Sequence, residues 1–140
     1  MATILFVGSN PSNASTCDIA FHGSTKSSKI LTEWTKDVTP IKCHINVMNK
    51  KTERNRPLNK QDINANLERL AEDIRCIAPD RVVALGKTAA QALTLLRIEF
   101  YEMPHPSGLN RKLNDPEYVA QKIKELTKFC NRVSSNIDSN

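Results

Sequence analysis

Two uninterrupted apolar runs, Ile4-Leu5-Phe6-Val7 and Val82-Val83-Ala84-Leu85, each end on a glycine, and they constrain the fold more than anything else in the chain. A strand with one wet face alternates apolar with polar residues. A strand without that alternation is covered on both faces, as in a parallel sheet flanked by helices. After Gly86 the helix-forming stretch Lys87-Thr88-Ala89-Ala90-Gln91-Ala92-Leu93 follows at once, a strand–glycine–helix unit.

The rest of the chain fits the same alternation. Ile30, Leu31 and Trp34 share a helical face over 29–34, and Cys43-His44-Ile45-Asn46-Val47 is a short strand candidate. Asn59 caps a helix reaching about Cys76, with Asp62 at the capping-box offset and Ile63, Leu67, Leu70 and Ile74 at spacings of three and four. Ala78-Pro79-Asp80 stops it. Residues 98–102 read as a short, more polar edge strand. Residues 116–132 form an amphipathic helix with Val119, Ile123, Leu126 and Phe129 inward, and 134–140 read as a frayed tail. The expectation is an α/β fold, a three-layer αβα sandwich around a central, mainly parallel four-stranded sheet, in one domain over residues 1–140. Ligands of such sheets bind beyond the carboxyl ends of the strands. Gly8–Ser12, Asn46 and His105 all fall there.

Composition narrows the setting. A hydrophobic content of 39% and a charged content of 25% are ordinary for a soluble globular chain, and 20 Lys and Arg against 15 Asp and Glu suit a phosphate-rich partner. No stretch reads as a membrane span or signal peptide, so a cytoplasmic protein is expected. Cys17, Cys43, Cys76 and Cys130 are scattered, and His22, His44 and His105 have no ligand spacing. Neither a disulfide framework nor a bound metal is expected.

The stretch Pro104-His105-Pro106-Ser107-Gly108-Leu109-Asn110-Arg111 carries the most chemistry. His105 can donate a hydrogen bond or a proton near neutral pH. Leu109 belongs to no apolar period, and a bare apolar side chain on a polar loop before Arg111 suits a wedge driven into stacked, anionic DNA. The plainer reading is a helix-entry turn, with Ser107 or Asn110 capping and Leu109 as a local staple.

Four pieces in order give the chain a resemblance to the uracil-DNA glycosylase superfamily. Gly8-Ser9-Asn10-Pro11-Ser12 resembles the G-x-N-P-G motif of the mismatch-specific uracil and thymine glycosylases. Ile45-Asn46-Val47 with Asn55-Arg56-Pro57, and the segment 82–93, are similar to the iron–sulfur branch. His105-Pro106-Ser107-Gly108-Leu109-Asn110-Arg111 resembles the second catalytic motif, H/N-P-S-G-L-S-R.

The resemblance implies a role for each residue. Asn10 would hold the attacking water, helped by the backbone of Ser9, and His105 would donate to the pyrimidine O2 as negative charge develops there. Asn46 would read the Watson–Crick edge, and Phe21 would stack on the base. Gly108, Leu109, Asn110 and Arg111 would form the intercalating loop, with Ser12 and Ser107 on phosphates and Lys50, Lys51, Arg54 and Arg56 nearby. Read without the resemblance, Asn10 can cap a turn, Phe21 can be local core, Asn46 can be a turn residue, and the basic run can be a solvated face.

The chain departs from the pattern in two places. The cysteine ligands of the iron–sulfur branch are absent, so no cluster and no cofactor are expected. Residues 12–25 match no branch, which leaves uracil, mismatched thymine, hypoxanthine or a modified pyrimidine open as substrate. No lysine stands in the motifs as an amine nucleophile. The leading expectation is therefore a monomeric, monofunctional glycosylase acting on single- or double-stranded DNA, uracil foremost. The alternatives are a catalytically weak or inactive binder of a nucleobase, nucleotide or DNA lesion, and an enzyme acting on free nucleotides.

Overall fold

The computed structural model describes residues 2–10, 26–48, 58–106 and 115–138, the side chains of 26–28 and 133–138 excepted. Its elements run β1 (Thr3–Gly8), α1 (Lys26–Trp34), β2 (Ile41–Asn46), α2 (Lys60–Ile77), β3 (Arg81–Leu85), α3 (Lys87–Leu95), β4 (Tyr101–Met103) and α4 (Pro116–Asp138). The four strands form one sheet in the order β2-β1-β3-β4, every pairing parallel. The architecture is the three-layer α/β sandwich that the apolar runs imply.

The runs are continuous because the sheet has two dry faces. Leu5, Val7, Val82 and Ala84 pack with Ile63, Leu70 and Ile74 of α2 and Ala89, Ala92 and Leu93 of α3. Ile4, Phe6, Val83 and Leu85 point the other way, onto Leu31 and Trp34 of α1 and Leu126 and Cys130 of α4. Ile4, Leu5 and Phe6 are fully buried, each contributing about 1.5–3 kcal/mol relative to exposure. Burial also pushes the Cys130 thiol up to about 12, so it packs as a small apolar group.

Chain order and sheet order together define a switch point. From β1 the chain passes to β2 on one side, then returns across β1 to β3 and β4 on the other. The carboxyl ends of β1 and β3 therefore meet at a topological switch point, the place where sheets of this kind bind their ligands. The opposite ends of these two strands are clamped, since Thr3 N–H donates to the Asp80 carboxylate (2.8 Å) and Asp80 N–H to the Thr3 carbonyl (2.9 Å). This pins the register Ile4↔Arg81 through Val7↔Ala84.

Helix ends explain where sequence and structure differ. The capping box at α2 is as expected, with Asn59 accepting from Asp62 N–H (2.9 Å) and the Asp62 carboxylate from Asn59 N–H (3.0 Å). At the far end Ala78 takes a left-handed conformation, φ 50°, and closes the helix onto the Ile74 carbonyl. Arg97 does the same after α3, with φ 59°. Its N–H reaches Thr94 O, and Ile98 N–H reaches Leu93 O, the two bonds of a Schellman ending. That ending uses residues 97–98, so β4 is Tyr101–Met103 and not the expected 98–102. Other bounds move as well: α1 starts at Lys26, β2 runs Ile41–Asn46, and α4 continues to Asp138 through residues expected to fray.

Candidate active site

The segment after β1 is short and polar. Ser9 and Asn10 are half-buried, and the Ser9 hydroxyl donates to Asn10 Oδ1 (2.9 Å). That bond orients the amide.

Asn46 closes β2 opposite Gly8 and is 4% exposed. Pairing continues one step beyond the strands, with Val47 N–H donating to Gly8 O (2.9 Å) and Met48 N–H to Ser9 O (3.0 Å). The segments carrying Asn10 and Asn46 are thus stitched together by backbone. From the α2 side the Arg69 guanidinium donates through Nη2 to Asn46 O (3.1 Å) and to Val47 O, while Nη1 pairs with Asp73. Arg69 Nε is buried and has no acceptor among the described residues.

His105 follows β4 and packs on the glycine that ends β3. Gly86 N–H donates to Met103 O (2.8 Å), its φ is 97°, and its missing side chain lets the His105 Cβ approach closely, with the ring alongside. Burial holds the imidazole below its ordinary pKa, so at pH 7 it is neutral, with one N–H to donate. His44 is likewise held down, by burial and then by the nearby Lys42 charge, and it stacks on Phe6 with ring centroids 5.4 Å apart.

Adjacent strands lie about 4.8 Å apart, so the ends of β2, β1 and β3 span roughly 10 Å, the width of a nucleobase with its hydrogen-bonding partners. Asn46, Asn10 and the His105–Gly86 pair occupy that edge in the same order. A cavity of about 340 Å³ continues from His105 past Gly86, Lys87, Glu102, Pro104, Tyr118 and Lys122. A larger one, about 540 Å³, lies at the opposite end of β3 by Asp80 and Arg81. Size favours the second, but the first adjoins the carboxyl-end edge of the sheet through Gly86 and His105, although neither amide lines it.

Ser9, Asn10 and Asn46 lie at the joined ends of β1 and β2, and His105 stands beside Gly86 at the end of β3, on the same edge of the sheet. Ser12, Phe21, Ser107, Gly108, Leu109, Asn110 and Arg111, with the basic stretch from Lys50 to Arg56, lie outside the described residues. Sequence reasoning missed Arg69 and Lys122. Arg69 sits between the inward Leu67 and Leu70 on α2, but no spacing rule says that a helical arginine will meet the carbonyls of a distant strand end. Among the described residues, no group of three His, Cys, Asp or Glu could hold a metal ion, and no helix is long and apolar enough to cross a membrane.

No curated protein matches the chain. A family model does, the one described as the uracil DNA glycosylase superfamily, over residues 1–127. That match spans all four strands and both motif-bearing segments, the one after β1 and the one after β4, and so the chain belongs to the uracil DNA glycosylase superfamily.

Proposed function

We propose that the protein is a monofunctional DNA N-glycosylase that takes uracil, flipped out of DNA, into the crevice between β1 and β3 and hydrolyses its N-glycosidic bond. The observation that carries this reading is the grouping of two amides, Asn10 and Asn46, with a neutral imidazole, His105, along one switch-point edge.

The reaction needs a sugar cation tolerated, a base anion stabilised and a water delivered. His105 N–H faces the developing charge on O2. Being neutral, it acts by hydrogen bonding rather than by giving up a proton, and loss of such a donor costs about 10²–10³ in kcat. Asn46 offers one donor and one acceptor to uracil O4 and N3. Asn10, oriented by Ser9, holds the water; an amide cannot deprotonate it, so departure of the base sets the rate. Lys87 and Lys122 extend a positive rim from His105, suited to the flanking phosphates. Phe21 stacks on the base, and Leu109 fills the vacated stack, with Ser12, Ser107, Gly108, Asn110 and Arg111 on the backbone around it. The domain spans residues 1–140 and works as a monomer in the cytoplasm.

The test is an excision assay with alkaline cleavage of labelled oligonucleotides. The panel carries uracil opposite guanine, opposite adenine and unpaired, with thymine mismatches, hypoxanthine and hydroxymethylated pyrimidines. Abasic product that disappears in Asn10→Ala and His105→Ala establishes the activity and names the base. An intact panel, with binding retained in Asn10→Ala and lost in Asn46→Ala, would replace the enzyme with a lesion-binding protein.

A further inference from the structure

Arg69 belongs to α2, outside every motif of the site, yet its guanidinium ends on the backbone of the residue that would read the base. Carbonyls at the end of an edge strand are ordinarily left to solvent. Here the carbonyls of Asn46 and of Val47 both accept from Arg69 Nη2. The guanidinium is itself fixed from behind, because Asp73, one helical turn along, takes Nη1. The peptide unit that follows Asn46 therefore has little freedom, its carbonyl held by Arg69 and its N–H, that of Val47, by Gly8 O of β1.

We infer that Arg69 is a positioning residue for base selectivity, fixing the backbone of Asn46 so that its amide presents one orientation to the base. The inference rests on the glycosylase reading, in which Asn46 discriminates uracil. An amide rotated end for end offers its donor and acceptor in the reverse order, the pattern that cytosine's exocyclic amine and N3 accept. Selectivity therefore depends on what holds the two peptide units that follow the Asn46 Cα. The planar guanidinium holds both carbonyls through Nη2 while Nη1 is tied to Asp73, an arrangement that a lysine ammonium on a flexible stem does not reproduce.

The experiment uses Arg69→Met, which keeps the stem, and Arg69→Lys, which keeps the charge, alone and combined with Asn46→Ala. The uracil-to-cytosine rate ratio is expected to fall by about ten- to a hundredfold in Arg69→Met and less in Arg69→Lys. Asn10→Ala should lower uracil excision while leaving Asn46's side-chain amide resonances unmoved. Those resonances should shift in both Arg69 variants, and Arg69→Met should cost nothing further once Asn46 is alanine. Should Arg69→Met fail to fold, Arg69→Lys carries the same cycle. Unmoved Asn46 resonances, or losses that simply add in the double variant, would overturn the inference. If the unsubstituted protein excises no base, the glycosylase reading falls while the Asn46 resonances still decide whether Arg69 positions it.

Discussion

A Cβ placed on Gly86 would stand 3.0 Å from the Cβ of His105 and 3.5 Å from its ring, so the root of the histidine side chain presses on the room that the glycine leaves. Gly86 also has φ 97° and ψ 174°, a region of backbone space essentially closed to other residues. Gly86→Ala is expected to destabilise the fold by about 1–3 kcal/mol from backbone strain. It should also push His105 off line, so that excision by the remaining folded protein falls well beyond the unfolded fraction. Urea midpoints beside single-turnover rates would separate the two losses, and full activity per folded molecule would show that His105 tolerates the displacement.

The buried histidines make stability depend on pH in a known direction. His105 and His44 are both held below the ordinary value of 6.5, so below that pH the unfolded chain binds protons that the folded chain refuses. Stability is full above about pH 6.5 and declines as pH falls through the lowered values. Thermal midpoints taken from about pH 8 to about pH 5 should show this fall. His44→Gln and His105→Gln should each flatten it. A slope unchanged in the double variant would assign it to carboxylates instead.

Lys87 and Lys122 flank the same cavity with unequal freedom. The Lys122 ammonium donates to the Tyr101 hydroxyl (3.2 Å) and lies 3.7 Å from Glu125, whereas Lys87 is exposed at the start of α3. Lys87→Ala should therefore weaken DNA binding more than Lys122→Ala does. It should also reduce the salt dependence of log K by about one phosphate contact, a slope change near 0.9. Titration of a fluorescent duplex at several salt concentrations measures it, and an unchanged slope would remove Lys87 from the DNA track.

Asn59 supports α2 without touching the site. Asn59→Ala breaks the capping box and should lower stability by about 1 kcal/mol, read as a shift in the urea midpoint. Single-turnover excision per folded molecule should stay the same. A matching fall in rate would mean that the start of α2 is coupled to Arg69 further along it.

What could be read from the chain follows the physics that each element depends on. Burial on two faces writes itself into Ile4–Val7 and Val82–Leu85 as unbroken apolar runs, and the Asn59–Asp62 box is local chemistry, so these elements were legible. The end of α3 was not, because an arginine and not a glycine takes the left-handed position at residue 97. With that stop hidden, Ile98 and Phe100 look like the start of a strand. Asn10, Asn46 and His105 could be placed at strand ends from their motifs. The bond from Ser9 to Asn10, and Arg69 reaching back to β2, join residues through space or through rotamer choice, for which sequence spacing has no sign.

The clamp between Thr3 and Asp80 lies about five strand residues, some 16 Å, from the crevice, and it is the datum from which the crevice is levelled. A strand's length is fixed by its residue count, so once Thr3 and Asp80 are tied, the heights of Gly8 and Gly86 at the far end are settled as well. Sliding β3 by one residue would turn its side chains to the opposite faces and would carry Gly86, with the imidazole resting on it, a step away from Asn10. The alignment of the two halves of the crevice is thus a matter of gauge, set at the end of the sheet farthest from it.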